Sequence, residues 1–238
     1  KPVGATCNMR CRYCYYLEKG EMFKHEGATL MSDELLERFT KEYIECQTSN
    51  DVLFCWHGGE TLLRPIEFYE KALHYQRKYA GGRHIDNSFQ TNGTLITDEW
   101  AEFFRKNNIL VGVSIDGPKW LHNLFRPLAN GSGSWKKVMA GIETLNRHQV
   151  EWNAMAVVNS TTAEHPLEFY RFFKEINCHY IQFTPIVERI DTTTGMSKPS
   201  HVTGTEGLTK ESVTPKQFGR FLCTIFDEWV RHDVGNYF

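Results

Sequence analysis

Apolar and polar positions along the chain follow two alternating rhythms. Short runs of β-type apolar residues give way to longer segments in which apolar residues return every three or four positions. The runs predict strands over Pro2–Ala5, Asp51–Trp56 (DVLFCW), Ile85–Gln90, Leu110–Ile115 (LVGVSI), Trp152–Val158 (WNAMAVV) and Tyr180–Val187 (YIQFTPIV). Three are nearly continuous apolar runs, the pattern of parallel strands covered on both faces.

The segments between them predict helices. Ser32 is a good N-cap for SDELLERFTKEYIEC, which sets Leu35, Leu36, Phe39, Tyr43 and Ile44 on one stripe. Pro65–Tyr79 and Pro166–Ile176 open with proline in the first turn, and Thr97–Lys106 opens on the capping pattern TDEW. Ser134–His148 is a further helix, and Pro215–His232 carries Phe218, Phe221, Leu222, Ile225, Phe226 and Trp229. Six strand–helix units without an internal repeat predict an α/β fold, either an open doubly wound sheet or a barrel short of eight strands. Asp191–Val213, rich in Thr, Ser, Gly and Lys, reads as a long polar excursion before the last helix.

Composition narrows the picture modestly. The chain has 238 residues, a length that α/β barrels fill as one domain. It is 41% hydrophobic and 24% charged with a formal net charge of −2, and no block of like charges marks a nucleic-acid or membrane surface. No apolar run approaches the roughly 18 residues that span a bilayer, and no charged-then-apolar leader is present. A soluble chain is expected, and a first residue of Lys1 rather than methionine predicts that a few N-terminal residues are absent. Of seven cysteines, Cys46, Cys55, Cys178 and Cys223 are dispersed in apolar surroundings. They are expected as buried, reduced thiols, which points to a reducing cytoplasm.

In parallel βα architectures the loops after the strands' C-terminal ends carry the chemistry. Here they hold, in order, three cysteines, His57-Gly58-Gly59-Glu60, Gln90-Thr91-Asn92-Gly93, Ser114 with Asp116-Gly117-Pro118, and Asn159. The cysteines, Cys7, Cys11 and Cys14, are spaced C-x3-C-x2-C in a polar loop. A closed structural zinc site needs a fourth ligand, and the nearest imidazole, His25, lies eleven residues beyond Cys14. Three thiolates each on a different iron of a [4Fe–4S] cube leave the fourth iron open, and the spacing favours that reading over zinc.

The segment resembles the signature of the radical S-adenosylmethionine superfamily, C-x3-C-x-aromatic-C, with Tyr13 as the aromatic residue. The resemblance implies a partial (β/α)6 TIM-like barrel over residues 1–238, with S-adenosylmethionine chelating the open iron. HGGE at His57–Glu60 is similar to the superfamily's GGE motif, whose backbone and acid contact the methionyl amino group. The usual following proline is replaced by Thr61, which bears on the rigidity of the turn. QTNGTLITDEW, LVGVSIDGP, HNLFR, WNAMAVVN and HYIQFTPIVERI then resemble, in order, the anaerobic sulfatase-maturating enzymes.

That family oxidises a cysteine or serine of a sulfatase to Cα-formylglycine, using a 5′-deoxyadenosyl radical. Ser114 and Arg126 would hold the ribose and carboxylate region of the cofactor, and Val187 would line the adenine pocket. Tyr13 and Gly59, beside Gly58 and Glu60, would touch it through ring or backbone. Each has a plainer alternative: Ser114 as a strand cap, Arg126 as a surface residue, Val187 as core. Tyr16 and His57 either contact the peptide substrate or only pack under the loop and shape the turn. The family's acid–base residue lies in a C-terminal, SPASM-type auxiliary-cluster domain, expected to lie outside this chain, so no catalytic base is assigned here. Implied partners are a sulfatase polypeptide and an electron donor of flavodoxin or ferredoxin type. A thioether-forming relative would share the core motifs, and a zinc-binding module only the cysteines.

Overall fold

The computed structural model describes residues 1–17, 20, 30–190, 197–199 and 207–237. In chain order its elements are α1 (Asp33–Glu45), β1 (Asp51–Trp56), α2 (Ile66–Tyr79), β2 (His84–Thr91), α3 (Asp98–Lys106), β3 (Leu110–Ser114) and α4 (Lys119–Phe125). They continue with α5 (Trp135–Arg147), β4 (Trp152–Val158), α6 (Pro166–Glu175), β5 (Ile181–Pro185), β6 (Glu188–Ile190), β7 (Ser197–Pro199) and α7 (Pro215–His232). The sheet order β1-β2-β3-β4-β5 follows the chain. Two compact units interleave in sequence: Lys1–Ser114 with Pro127–Trp152, and Ile115–Arg126 with Asn153–Phe238.

In the first unit β1, β2 and β3 pair in parallel, from Asp51↔His84 to Trp56↔Phe89 and from Ser88↔Leu110 to Thr91↔Val113. Their inward side chains meet an aromatic core. Trp56 and Phe89 lie with ring centroids 5.5 and 4.7 Å from Tyr69 of α2, and Phe104 of α3 is 5.1 Å from Phe89. Trp56 brings a polar N–H into this core, and Asn87 Oδ1 accepts it at 2.8 Å while Asn87 and Gln76 exchange reciprocal amide bonds. The caps expected at Ser32 and Thr97 are formed, with each hydroxyl accepting a backbone N–H from the first turn.

In the second unit β4 and β5 pair in parallel, from Ala154↔Ile181 to Val158↔Pro185. Phe169 of α6, Phe183 of β5 and Phe221 of α7 form its centre, with the Phe169 and Phe183 centroids 5.6 and 5.4 Å from that of Phe221. Thr214 and Gln217 make a capping box that starts α7. Beyond its end, the buried Asp233 accepts from Tyr170 Oη at 2.9 Å and Lys174 Nζ at 2.8 Å. β6 and β7 form an antiparallel pair, Glu188↔Pro199 to Ile190↔Ser197, at the start of the predicted polar excursion. Residues 191–196 and 200–206 of that excursion lie outside the described residues. No helix among the described residues is long and apolar enough to cross a membrane.

Several expectations are corrected. Pro2–Ala5 forms turns rather than a strand, closed by Gly4 N–H to Lys1 O and Thr6 N–H to Val3 O, so the sheet holds five strands. α4 appears where no helix is predicted, because Pro118 launches a segment of only seven residues. β1 is not covered on both faces: its residues alternate, with Val52, Phe54 and Trp56 buried and Leu53 and Cys55 exposed. That alternation is one reason the dispersed cysteines are not all buried. Cys178 is buried, but Cys46 sits exposed at the end of α1, Cys55 on the open face of β1 and Cys223 on the outer side of α7. Leu35 likewise leaves its predicted stripe for solvent, and Phe226 of α7 is exposed as well.

Candidate functional site

The three cysteines lie on a short irregular loop that backbone bonds sew down on two sides. Gly59 N–H donates to Gly4 O at 2.9 Å and Glu60 N–H to Thr6 O at 2.8 Å, tying the loop to the Gly-Gly-Glu turn. On the other side Arg10 N–H reaches Pro127 O at 3.0 Å, Ala129 N–H reaches Asn8 O at 3.2 Å, and Met9 bridges Leu128. Cys11 is buried, while Cys7 and Cys14 are half-buried. Cys7 Sγ accepts from Met9 N–H at 3.4 Å and from Asn92 Nδ2 at 3.7 Å. Burial pushes the Cys7 thiol up, against the pull of the Met9 N–H.

Glycine at 59 is a matter of space. A Cβ built there would stand 2.5 Å from the Thr6 carbonyl carbon, so any side chain would push the cysteine loop away. Glu60 is 0% exposed, and its carboxylate accepts from Leu62 N–H at 3.0 Å, Thr91 Oγ1 at 2.7 Å and Asn92 N–H at 2.7 Å. The acid therefore braces the turn against the end of β2. Thr61, where proline is usual, is also buried, and its hydroxyl donates to Gln90 O at 2.8 Å. That bond ties the turn to β2 in a way proline cannot, which answers the question of rigidity.

Within this first unit the structure brings together Cys7, Cys11, Cys14, Gly58, Gly59 and Glu60, with Tyr13 half-buried on the same loop. Ser114, at the end of β3, accepts from Gln90 Nε2 at 2.9 Å. Tyr16 is buried, its ring 4.3 Å from Tyr15 and edge-on to His57 at 6.3 Å, and its hydroxyl has no partner among the described residues. Burial and the nearby Lys1 charge lower the His57 imidazole.

Asn92 has no role assigned by sequence reading. It is 6% exposed and links Cys7, Asn8, Thr94 and Glu60 in one hydrogen-bond network. Its signals in the sequence are its place in a strand-end loop and in the QTNGTLITDEW stretch, neither of which shows the contact with Cys7, 85 positions away.

The second unit holds Arg126 and Val187. Arg126 closes α4, its N–H on His122 O at 2.9 Å, and at 6% exposure it is no surface residue. His122 is fully buried, and its Nδ1 accepts from Asp116 N–H at 3.2 Å, which leaves the proton of the neutral ring on Nε2. Burial, then the Arg126 charge, hold this imidazole well below its ordinary value. Asp116, also buried, accepts from Val157 N–H at 3.0 Å. Val187 follows β5 and is 48% exposed, so it is not core.

The donor set suits an iron–sulfur cluster. Three thiols share one loop, and two N–H groups point at the Cys7 sulfur, where they would meet a sulfur carrying negative charge. Among the described residues no three His, Cys, Asp or Glu side chains are grouped to hold a single metal ion. A four-iron cube instead takes one thiolate per iron.

The profile of the Radical SAM superfamily matches residues 2–173. The serine-type anaerobic sulfatase-maturating enzyme of Bacteroides thetaiotaomicron is 62% identical over 240 residues, spanning 100% of this chain and 58% of that protein. The cysteine-type anaerobic sulfatase-maturating enzyme of Clostridium novyi is 36% identical, over 97% of this chain and 59% of that one. Among solved structures, native anSMEcpe with bound AdoMet and Cp18Cys peptide aligns with a TM-score of 0.84 at 35% identity, over 100% of this chain and 60% of the other. The chain thus spans less than two thirds of each of these relatives. With its cysteine loop locked to a Gly-Gly-Glu turn at the end of a parallel strand, and the profile covering most of its length, the chain belongs to the Radical SAM superfamily.

Proposed function

We propose that residues 1–238 form the radical S-adenosylmethionine core of an anaerobic sulfatase-maturating enzyme. Cys7, Cys11 and Cys14 would hold a [4Fe–4S] cluster, and the open iron would take S-adenosylmethionine. When bound, this pair supplies hydrogen abstraction from an unactivated carbon, here Cβ of a peptide serine or cysteine. The observation that carries the reading is the close approach at Gly59, which admits no side chain and joins the cysteine loop to the turn through two backbone bonds.

The chain's own residues divide the binding task. The Gly58-Gly59-Glu60 backbone would present its polar groups to the methionyl amino group, with the Glu60 carboxylate fixing the turn from behind. The Arg126 guanidinium would grip the cofactor carboxylate through a two-pronged bond. Ser114 would hold the ribose, Val187 would cover the adenine and Tyr13 would contact the cofactor beside it. Tyr16 and His57 would border the peptide. The acid–base residue would come from a C-terminal domain and electrons from a flavodoxin- or ferredoxin-type protein, in a reducing cytoplasm. Greater identity with a serine-type relative than with a cysteine-type one supports serine as the oxidised residue.

The test uses the full-length protein, reconstituted anaerobically and given S-adenosylmethionine, dithionite and a sulfatase-motif peptide carrying serine. The peptide is expected to lose two hydrogens and to react with a hydrazide, as an aldehyde does. A peptide that loses two hydrogens without hydrazide reactivity would reveal a crosslinking enzyme, and an unchanged peptide would sink the maturase reading. Replacing Cys7, Cys11 and Cys14 together by alanine is expected to abolish the dithionite-bleachable visible absorbance, since these are the clustered soft ligands of the loop.

A further inference from the structure

The Asn92 network carries a consequence beyond binding. We propose that Asn92 is a positioning residue that sets the reduction potential of the cluster by donating a side-chain N–H to the Cys7 sulfur. The inference rests on the reading of Cys7, Cys11 and Cys14 as cluster ligands.

The orientation of the Asn92 amide follows from its partners. Thr94 N–H, which can only donate, points at one end of the amide at 2.9 Å, so that end is the oxygen. Thr94 Oγ1 donates to the same oxygen at 2.7 Å. The other end is therefore the NH2 group, and it faces two acceptors, Asn8 Oδ1 at 2.8 Å and Cys7 Sγ at 3.7 Å. The backbone is pinned as well, because Asn92 N–H donates to Glu60 Oε2 at 2.7 Å. Asn8 closes the ring by donating its own amide to Thr94 Oγ1 at 2.8 Å. A buried side chain held at this many points has little freedom to turn its N–H away from the sulfur.

The effect on potential follows from charge. A reduced cluster carries one more negative charge than an oxidised one, and that charge is spread over its sulfurs. A donor aimed at a ligand sulfur stabilises the reduced form more and raises the potential. The Met9 N–H acts on the same sulfur, but it belongs to the backbone, and proline, which alone would remove it, would also constrain the loop that carries the cysteines. Asn92 is the side-chain contribution and the one open to test.

Three variants of the full-length reconstituted protein separate the possibilities, read by redox titration of the cluster's paramagnetic resonance signal without S-adenosylmethionine. Asn92→Leu removes the donor, and the midpoint potential should fall. Asn92→Asp keeps the oxygen that serves Thr94 but replaces the NH2 with a charged oxygen, and the fall should be larger. Thr94→Val removes one partner holding the amide in place, and the fall should be small. Iron and sulfide per chain report whether each variant holds its cluster. A wild-type potential in an Asn92 variant with four irons overturns the proposal. If neither Asn92 variant keeps iron, a wild-type potential in Thr94→Val overturns it. Wild-type protein that takes up no cluster at all would instead overturn the proposed function beneath it.

Discussion

The turn after β1 and the turn after β3 each sink a carboxylate completely, Glu60 in the first unit and Asp116 in the second. Each acid accepts a backbone N–H from elsewhere in its own unit: Asn92, just past the end of β2, for Glu60, and Val157 in β4 for Asp116. They differ in what surrounds the acid. Two glycines precede Glu60, and the turn they make admits the backbone of the cysteine loop. Asp116 is followed by Gly117 and Pro118, which start α4, and His122 of that helix returns its Nδ1 to the Asp116 N–H. A buried acid at a strand end is thus scaffold in both places. The first turn is distinguished by the room its glycines leave for a second loop.

The largest test of that difference is Gly59→Val. Its side chain would collide with Thr6, so iron uptake on reconstitution should be lost while far-ultraviolet circular dichroism stays near wild type. Gly117→Ala should instead keep its iron and lose stability. Its φ of +82° and a Cβ 2.6 Å from Phe169 Cδ2 cost on the order of 1–2 kcal/mol or more in denaturant unfolding. Iron loss in Gly117→Ala, or iron retention in Gly59→Val, would erase the distinction.

The acid's scaffold role is sharpened by Asp116→Asn. The new amide retains an acceptor for Val157 but buries a donor, and unfolding free energy should fall by about 1–3 kcal/mol. Arg126 closes the helix that the second turn starts. Arg126→Lys keeps the charge but loses the planar fork, and S-adenosylmethionine affinity by calorimetry should weaken by about 1–3 kcal/mol with iron content unchanged. Unaltered affinity would remove Arg126 from the site.

The smallest effect concerns pH. His122, facing Asp116 and Arg126, is held neutral in the folded protein well below its ordinary value of 6.5. As pH falls through 6.5 the unfolded chain gains a proton that the folded one does not, so stability drops on the acid side. His122→Gln keeps an acceptor for Asp116 N–H and removes the titration. The slope of stability against pH below 6.5 should flatten by up to about 1.4 kcal/mol per pH unit. An unchanged slope would show that His122 takes up its proton equally in both states.

Much of this was legible in the chain because the signals are local. Apolar periodicity placed five strands and six of the helices to within a few residues, since strand and helix periods are properties of neighbouring positions. The cysteine spacing and HGGE could be read for the same reason. Pro2–Ala5 misled because a β-type composition says nothing of partners, and there the chain closes on itself in turns. The exposure of Cys55 and Leu53 also escaped, because an apolar run does not say which face of its strand another layer covers.

By itself, the sequence determined the order of elements, the caps at Ser32 and Thr97, and the three thiols on one loop, all of which depend on residues within a few positions of one another. Only the tertiary structure decided that Gly59 is required by the backbone of Thr6, that Thr61 replaces proline with a bond to Gln90, and that Asn92 faces Cys7. Those contacts join residues tens of positions apart. The pairing of β1 with β2 brings Thr61 beside Gln90, and backbone bonds dock the cysteine loop on the turn after β1; no local pattern encodes either.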